Sequence, residues 1–384
     1  MKKILYVTGS RAEYGIVKRL LKKLQNDNSI DFRLAVTGMH LSEKYGSTYK
    51  VIEEDGIKID YIIPITLENN NNQSIINSMA ECLKKFGEHF QNYYYDAVII
   101  LGDRFEIFSV AIAAGIHNIP LIHLHGGEQT LGNYDEFIRH SITKIAKLHL
   151  TSTESYRKRV IQLGELPNSV INIGSLGAEN GLLLNLPSKI ELESIIGSIE
   201  KPYFLIVFHP ETLNLLSVDN QIKELLSALD KFKTNYDFIF IGSNADTKSN
   251  IIFNLFREYT VENNFRFFTS LTPEEYLALI KYSCGIIGNS SSGLLEAPSF
   301  RVGTINIGDR QKGRIRGDSV INVTLDKQSI IDGIYKLISH EFQEILNKSI
   351  NPYYKENSLE ECYNAIIKFL YGLDINKNKS FYDM

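Results

Sequence analysis

Between Asp96 and Asp135 the chain gathers Asp103, Arg104, His123, His125, Glu128 and Asp135. Carboxylates and imidazoles at that density can take a proton from one atom and return one to another, while a guanidinium neutralises a departing anion; this is general acid–base chemistry. The elements that carry these residues read as strand, loop, helix, strand, loop. Asp96-Ala-Val-Ile-Ile-Leu101 is a short apolar, β-branched run bounded by turn residues, as expected of a strand buried on both faces of a parallel sheet. It ends at Gly102-Asp103-Arg104. An apolar helical pattern follows from Phe105 to Ile116, and Ile119 to Leu124 reads as a second buried strand that delivers His125-Gly126-Gly127-Glu128. Ligands in open parallel sheets bind at the carboxyl ends of the strands, so both loops and Asp135 are expected to face one crevice. His123 and His125 are two apart on a strand, hence expected on one face, and Glu128 follows, which suggests a metal. No further Cys or His clusters at metal-ligand spacing, so an acid/base role is the better reading.

A second polar set lies where another strand gives way to a helix. Asn289-Ser290-Ser291-Ser292-Gly293 precedes a helical pattern over Leu294 to Phe300, so hydroxyls and free backbone amides converge at a helix amino terminus, a setting suited to a diphosphate. Serines in such a run can also act only as helix caps. Glu296, one turn onward, adds a carboxylate that can accept from both ribose hydroxyls, and the combination suits a nucleotide. The GxGxxG fingerprint and the P-loop pattern are both absent, which disfavours a dinucleotide or an ATPase-type site. Gly308 to Gly317 packs Arg310, Lys312, Arg314 and Arg316 between glycines directly after a strand, so at least one arginine is expected to contact phosphate. His209-Pro210 and Gly242-Ser243-Asn244 also stand at strand ends.

The elements that must position these groups alternate along the whole chain. Strands read at Lys3–Thr8, Phe32–Thr37, Ile57–Ile63, Leu148–Thr151 and Val170–Ile173, then again at Tyr203–Phe208, Phe238–Ile241, Phe265–Thr269 and Gly285–Gly288. Helical patterns lie between them, including one from Tyr134 to Ala146 and one opened by Thr272-Pro273 with Glu275 completing a capping box. Glu68 and Asn69 to Asn72 read as a low-complexity linker. The alternation breaks up around Gly177 to Lys201 and restarts, and 384 residues exceed one ordinary domain, so we expect an α/β protein of two doubly wound, Rossmann-like domains facing a cleft. A last helix, Asn357 to Leu370, precedes a polar tail expected to fray. A net charge of −4 with scattered basic residues leaves no footprint for nucleic acid or an anionic membrane. Arg11 and Glu13 interrupt the apolar start far short of a signal core or a membrane span, which places the chain in the cytoplasm. Cys82, Cys284 and Cys362 are widely separated, without CxxC spacing, and read as buried, unpaired thiols.

Taken in order, Gly9-Ser-Arg-Ala-Glu-Tyr14, Thr37-Gly-Met-His40, Gly102-Asp-Arg-Phe-Glu106, His123-Leu-His-Gly-Gly-Glu128, Ile138-Arg-His-Ser-Ile-Thr-Lys144, His209-Pro210, Gly288-Asn-Ser-Ser-Ser-Gly293 and Gly308-Asp-Arg-Gln-Lys-Gly313 closely resemble the UDP-N-acetylglucosamine 2-epimerases. The hydrolysing, sialic-acid branch is the nearest match, over residue 1 to about 370. The resemblance implies a glycosyltransferase-B-like fold: residues 1–176 with a C-terminal helix at about 355–372 form one domain, and residues 177–354 form the UDP-binding one. It also implies elimination of UDP after loss of the C2 proton, then addition of water, which releases N-acetylmannosamine without metal, nicotinamide or other cofactor. By resemblance Asp103 and Asp135 match carboxylates of proton transfer. Arg11, His209, Asn244, Ser290, Ser291, Glu296 and Arg310 match nucleotide contacts, His40 is placed with them, and Arg104 helps to hold the diphosphate or the sugar. Many members carry a glutamate at the position of His125, so the C2 base is open between Asp103, His125 and Glu128. Burial and like charge are expected to raise a carboxylate near Asp135 or Asp103, preparing an acid beside a base. The family also implies a homo-oligomer, dimer or tetramer.

Three rivals remain at this point. A UDP-2,4-diacetamido-trideoxy sugar could replace UDP-N-acetylglucosamine, since a few contacts at sugar C4 and C6 decide. A glycosyltransferase would use the same cleft with an acceptor. A noncatalytic nucleotide-sugar sensor would keep Ser290, Ser291 and Glu296 but gain nothing from crowding Asp103, Glu128 and Asp135.

Overall fold

The computed structural model describes residues 1–68, 71–211, 216–243, 245–372 and 378–383. Its strands are β1 (Lys2–Thr8), β2 (Ile30–Val36), β3 (Tyr61–Ile62), β4 (Ala97–Leu101), β5 (Leu121–Leu124), β6 (Leu148–Thr151), β7 (Val170–Asn172), β8 (Tyr203–Val207), β9 (Asp237–Ile241), β10 (Arg266–Phe268), β11 (Ile286–Gly288), β12 (Thr304–Ile307) and β13 (Val320–Val323). They form two parallel sheets, ordered β3-β2-β1-β4-β5-β6-β7 and β10-β9-β8-β11-β12-β13. Helices cover both faces, which is why β4 and β8 are buried along their whole length and read as unbroken apolar runs. In each sheet the strand order reverses once, between β1 and β4 and between β8 and β11. A crevice opens at such a reversal. The loops that leave those strands carry Ser10, Asp103, His209 and Ser290.

Several local expectations change. The third strand pairs only over Tyr61–Ile62, because the Asp60 carboxylate takes the Arg33 guanidinium at 2.9 Å and the Leu34 amide at 3.1 Å where a ladder would have run. Asn71 is not plain linker: it caps the Asn72–Asn92 helix in a reciprocal box with Ser74, while Asn69 and Asn70 lie outside the described residues. The helix expected over Leu294 to Phe300 starts at Ser292 and gives way after Leu295 to a tighter turn, Ala297–Phe300. Pro298 lacks the donor that an α-helix needs there. The box at Thr272 and Glu275 forms with both hydrogen bonds.

The last helix, Ser358–Tyr371, returns to the first sheet, placing Cys362, Ile366, Phe369 and Leu370 in the core beside Leu20, Leu24 and Ile4. The tail after it does not fray at residues 378–383. Lys379 donates to the carbonyls of Thr143 at 2.8 Å and Ala146 at 2.5 Å, where it complements the carboxyl end of the Asp135–Ile145 helix, and to Glu165 at 2.6 Å. Among the described residues no helix is long and apolar enough to cross a membrane.

Candidate active site

The loops at the two strand-order reversals line adjoining cavities of about 120 Å³ each, which share Ala12, Ile16, Ser291, Glu296 and Arg310 in their walls. They are two compartments of one cleft. The first is lined by Arg11, His209, Tyr276, Ser290 and Ser292; the second by Asp103, Arg104, His125, Glu128, Asp135, Arg139, Asp246 and Arg314.

In the second compartment the chain leaves β5 by a sharp device. His125 takes a left-handed conformation, φ 63°, so the strand alternation ends and the expected shared face of His123 and His125 does not exist. His123 stays inside the sheet, its Nε2 at 2.8 Å from the Gly102 carbonyl, and burial drives its pKa down to about 3. It is a neutral core histidine. His125 turns to the cavity: its Nδ1 lies 3.3 Å from Glu128 Oε1, and its Nε2 has no partner among the described residues. Glu128 also accepts from the Ser152 hydroxyl at 2.8 Å and pairs with Arg314 at 2.9 Å. Burial alone would raise that carboxyl, but Arg314, His125 and Ser152 outweigh it and hold it at about 2. So firmly ionised a group orients a histidine well and takes up a proton poorly.

Asp103 forms an ion pair with Arg139 rather than with its neighbour Arg104. Arg139, 1% exposed, also donates to the Glu128 carbonyl at 2.9 Å and to the Thr130 hydroxyl at 3.1 Å, so one guanidinium fixes both acidic loops. Arg104 is held by Glu106 at 2.6 Å. Asp135 opens its helix, accepting from the Asn133 amide at 2.9 Å. Burial first, then the negative charge of Asp246, push it up to about 7 against Arg310, Arg104 and Arg314. A carboxyl poised there can deliver a proton near neutrality.

The first compartment is built on backbone. Gly288, at φ 149°, passes so close to the Val207 carbonyl that a Cβ would collide with it, and this lets Asn289 brace the His209 backbone with bonds of 2.7 and 2.9 Å. Burial, then Arg310, Arg104 and Arg11, hold the His209 imidazole well below its usual pKa, leaving it neutral. Arg11 lies 5.0 Å from the centre of the Tyr276 ring, and Tyr276, Ser292 and Ser290 form a chain of hydroxyls at 2.5 and 2.9 Å. Glu296 stands between the compartments with Oε2 buried and without a partner among the described residues, and burial raises it to about 7. Of the basic loop, Arg310 faces the cleft and Arg314 serves Glu128, whereas Lys312 is exposed beside Asp309.

Asp103, Arg104, His125, Glu128 and Asp135 thus meet in one compartment, and Arg11, His209 and Ser290 in the other, with Ser291, Glu296 and Arg310 shared. His40 lines neither: it is fully buried, with Nε2 3.1 Å from Thr8 and Nδ1 2.9 Å from Thr48, so both nitrogens are engaged in the fold. Asn244 lies outside the described residues. Sequence reasoning gave no role to Arg139, Asp246, Tyr276 or Glu13. Arg139 carried a signal, one helical turn from Asp135, as did Asp246, just past a strand end.

A family model described as UDP-N-acetylglucosamine 2-epimerase matches residues 22–367. The chain is 59% identical over 385 residues to the polysialic acid biosynthesis protein P7 of Escherichia coli, covering 100% of this chain and 98% of that protein. It is 40% identical over 346 residues to the GDP/UDP-N,N'-diacetylbacillosamine 2-epimerase (hydrolyzing) of Campylobacter jejuni, covering 89% of each. In fold it is similar to the Neisseria meningitidis UDP-GlcNAc 2-epimerase crystallised with UDP-GlcNAc, at a TM-score of 0.78 and 20% identity, over 95% of this chain and 100% of that one.

Proposed function

The chain belongs to the UDP-N-acetylglucosamine 2-epimerase family, and from that premise we propose that it is a hydrolysing member, converting UDP-N-acetylglucosamine and water to UDP and N-acetylmannosamine for sialic acid synthesis. UDP occupies the compartment of Arg11, Tyr276, His209 and the serines, its ribose hydroxyls on Glu296 and its diphosphate between Ser290, Ser291 and Arg310. The sugar then falls in the compartment of His125 and Asp135.

The observation that carries the reading is the His125–Glu128 pair sharing a cavity with a protonatable Asp135. Inversion at C2 needs one group to remove a proton and a second to return one from the other face of the ring. His125 Nε2 takes the C2 proton as the C1–oxygen bond breaks and UDP leaves with its electron pair, giving a C1–C2 double bond. Asp135 then protonates C2, and water adds at C1, giving its proton to the Asp135 carboxylate so formed. Glu128 fixes His125 by its Nδ1–H and stabilises the imidazolium, and the C2 base is thereby assigned to His125 over Glu128 and Asp103. Asp103 stays oriented by Arg139 as an acceptor for a sugar hydroxyl.

Incubation with UDP-N-acetylglucosamine and no acceptor tests this: free N-acetylmannosamine and UDP are expected, and intact UDP-N-acetylglucosamine would refute it. The relative named for N,N'-diacetylbacillosamine supports a second reading, the same chemistry on UDP-2,4-diacetamido-2,4,6-trideoxy-glucose. Faster turnover of that sugar in a side-by-side assay would replace the first.

A further inference from the structure

Glu13 has no part in the mechanism above, yet it stands in the wall of the sugar compartment. It is the third residue of the Arg11–Gln25 helix, capped by Ser10, and a glutamate at that position ordinarily only completes the cap. Here Oε2 instead accepts from the amide of Gly9, the residue before the cap, at 2.8 Å. Oε1 is enclosed and has no partner among the described residues, in a side chain belonging to a residue only 6% exposed. Of the guanidiniums lining this compartment, Arg104 pairs with Glu106, Arg139 with Asp103 and Arg314 with Glu128, and Arg310 donates to the Asn289 carbonyl at 3.1 Å. A sugar carries uncharged acceptor oxygens as well as hydroxyl donors, and the carboxylates of the compartment can serve only the donors.

We propose that Glu13 is a substrate-binding residue whose Oε1 hydroxyl donates a hydrogen bond to an uncharged oxygen on the sugar, while Oε2 holds the Gly9 amide ahead of the helix. The protonation that this requires agrees with its surroundings. Burial, and then the negative Glu106, raise the Glu13 carboxyl to about 8, against Arg104 and the amides of Gly9 and Ser10. Tyr6 also faces it from β1 and, being itself raised by burial, remains a neutral phenol. A neutral acid also avoids setting another negative charge beside the diphosphate.

The inference rests on the reading that a nucleotide sugar fills this cleft. Two measurements test it. The infrared difference between the wild-type chain and Glu13→Gln at pH 7 should contain the C=O band of a protonated carboxylic acid; a carboxylate pair of bands instead overturns the proposal. Glu13→Met, which removes the donor, should raise KM for UDP-N-acetylglucosamine roughly threefold to tenfold more than it raises Kd for UDP, the usual worth of one neutral hydrogen bond. Glu13→Gln, with an amide donor in the same place, should recover most of that loss. Equal weakening of substrate and UDP marks a purely structural role, and no recovery by glutamine marks an ionised group; either refutes the donor role. Absence of turnover by the wild type would instead strike the proposed reaction, and the infrared result would stand apart from it.

Discussion

Replacing His125 by Asn separates base chemistry from architecture. Asparagine tolerates the left-handed backbone that His125 adopts, so the loop after β5 keeps its path while the imidazole is lost. A general base is worth about 10²–10⁴ in rate, or about 2.7–5.4 kcal/mol of barrier, and kcat should fall by that factor. UDP affinity should hold, because His125 lines only the sugar compartment. The share owed to Glu128 follows from its distance. At 3.3 Å and an effective dielectric of about 20, a full imidazolium and carboxylate attract by about 5 kcal/mol. A half-transferred proton develops about half of that charge and Arg314 offsets part of the rest, so Glu128→Gln should slow the reaction about tenfold to a hundredfold. It also leaves Arg314 buried without its partner, at a cost of about 3–5 kcal/mol in denaturant unfolding. The assay is UDP release with each variant and with the pair together, alongside product made in D₂O. Glutamine at 128 should add little to kcat once His125 is gone, and the wild-type product should carry deuterium at C2. Near-normal kcat in His125→Asn, fully additive losses, or product without deuterium would refute the mechanism.

Asp135 must be protonated to act as the acid, and its carboxyl stands at about 7, so kcat should decline as pH rises through that value. Asp135→Asn should lose about 10²–10⁴ in rate and this alkaline limb with it; a limb that survives belongs to another group. Ribose hydroxyls favour the ionised form of Glu296, which in the free protein is raised to about 7. UDP should therefore bind more tightly from pH 6 to 8 and release a proton, and Glu296→Ala should weaken it by roughly 1.5–3 kcal/mol. Calorimetry in buffers of different ionisation heat reads both, and unchanged affinity removes Glu296 from the site. Arg139→Lys keeps the charge but not the fork that joins Asp103, Thr130 and the Glu128 carbonyl. It should cut kcat more than it changes UDP affinity, and equal kcat would show that Asp103 needs no such anchor.

The fold was legible because a parallel sheet covered on both faces leaves an unmistakable trace: Ala97–Leu101 and Tyr203–Val207 are apolar without interruption and end in turn residues. Edges carry less. β3 keeps only two residues because Asp60 bonds across the neighbouring strand with its side chain, a choice that apolar periodicity does not register. The tail misled for a related reason. Lys379 looks like a solvated charge until the carbonyl end of a helix distant in sequence is brought to it.

The site divides along the same line between local and distant. Asp103, His125, Glu128 and Asp135 each follow a strand end or open a helix, so the topology alone brings them together. Their roles depend on partners that topology does not name. Arg314 arrives from the second domain to hold Glu128 as an anion together with His125 and Ser152, and Asp246 arrives from there too, adding its charge to the burial that keeps Asp135 protonatable. His40 shows the converse: its motif is local and its position well placed, yet Thr8 and Thr48 engage both ring nitrogens. The proton inventory of the cleft is thus a property of two domains in contact. Arg314 reaches Glu128 and Asp246 acts on Asp135 across the cleft, so the partner of the base and the acid are set by the same meeting of the two halves.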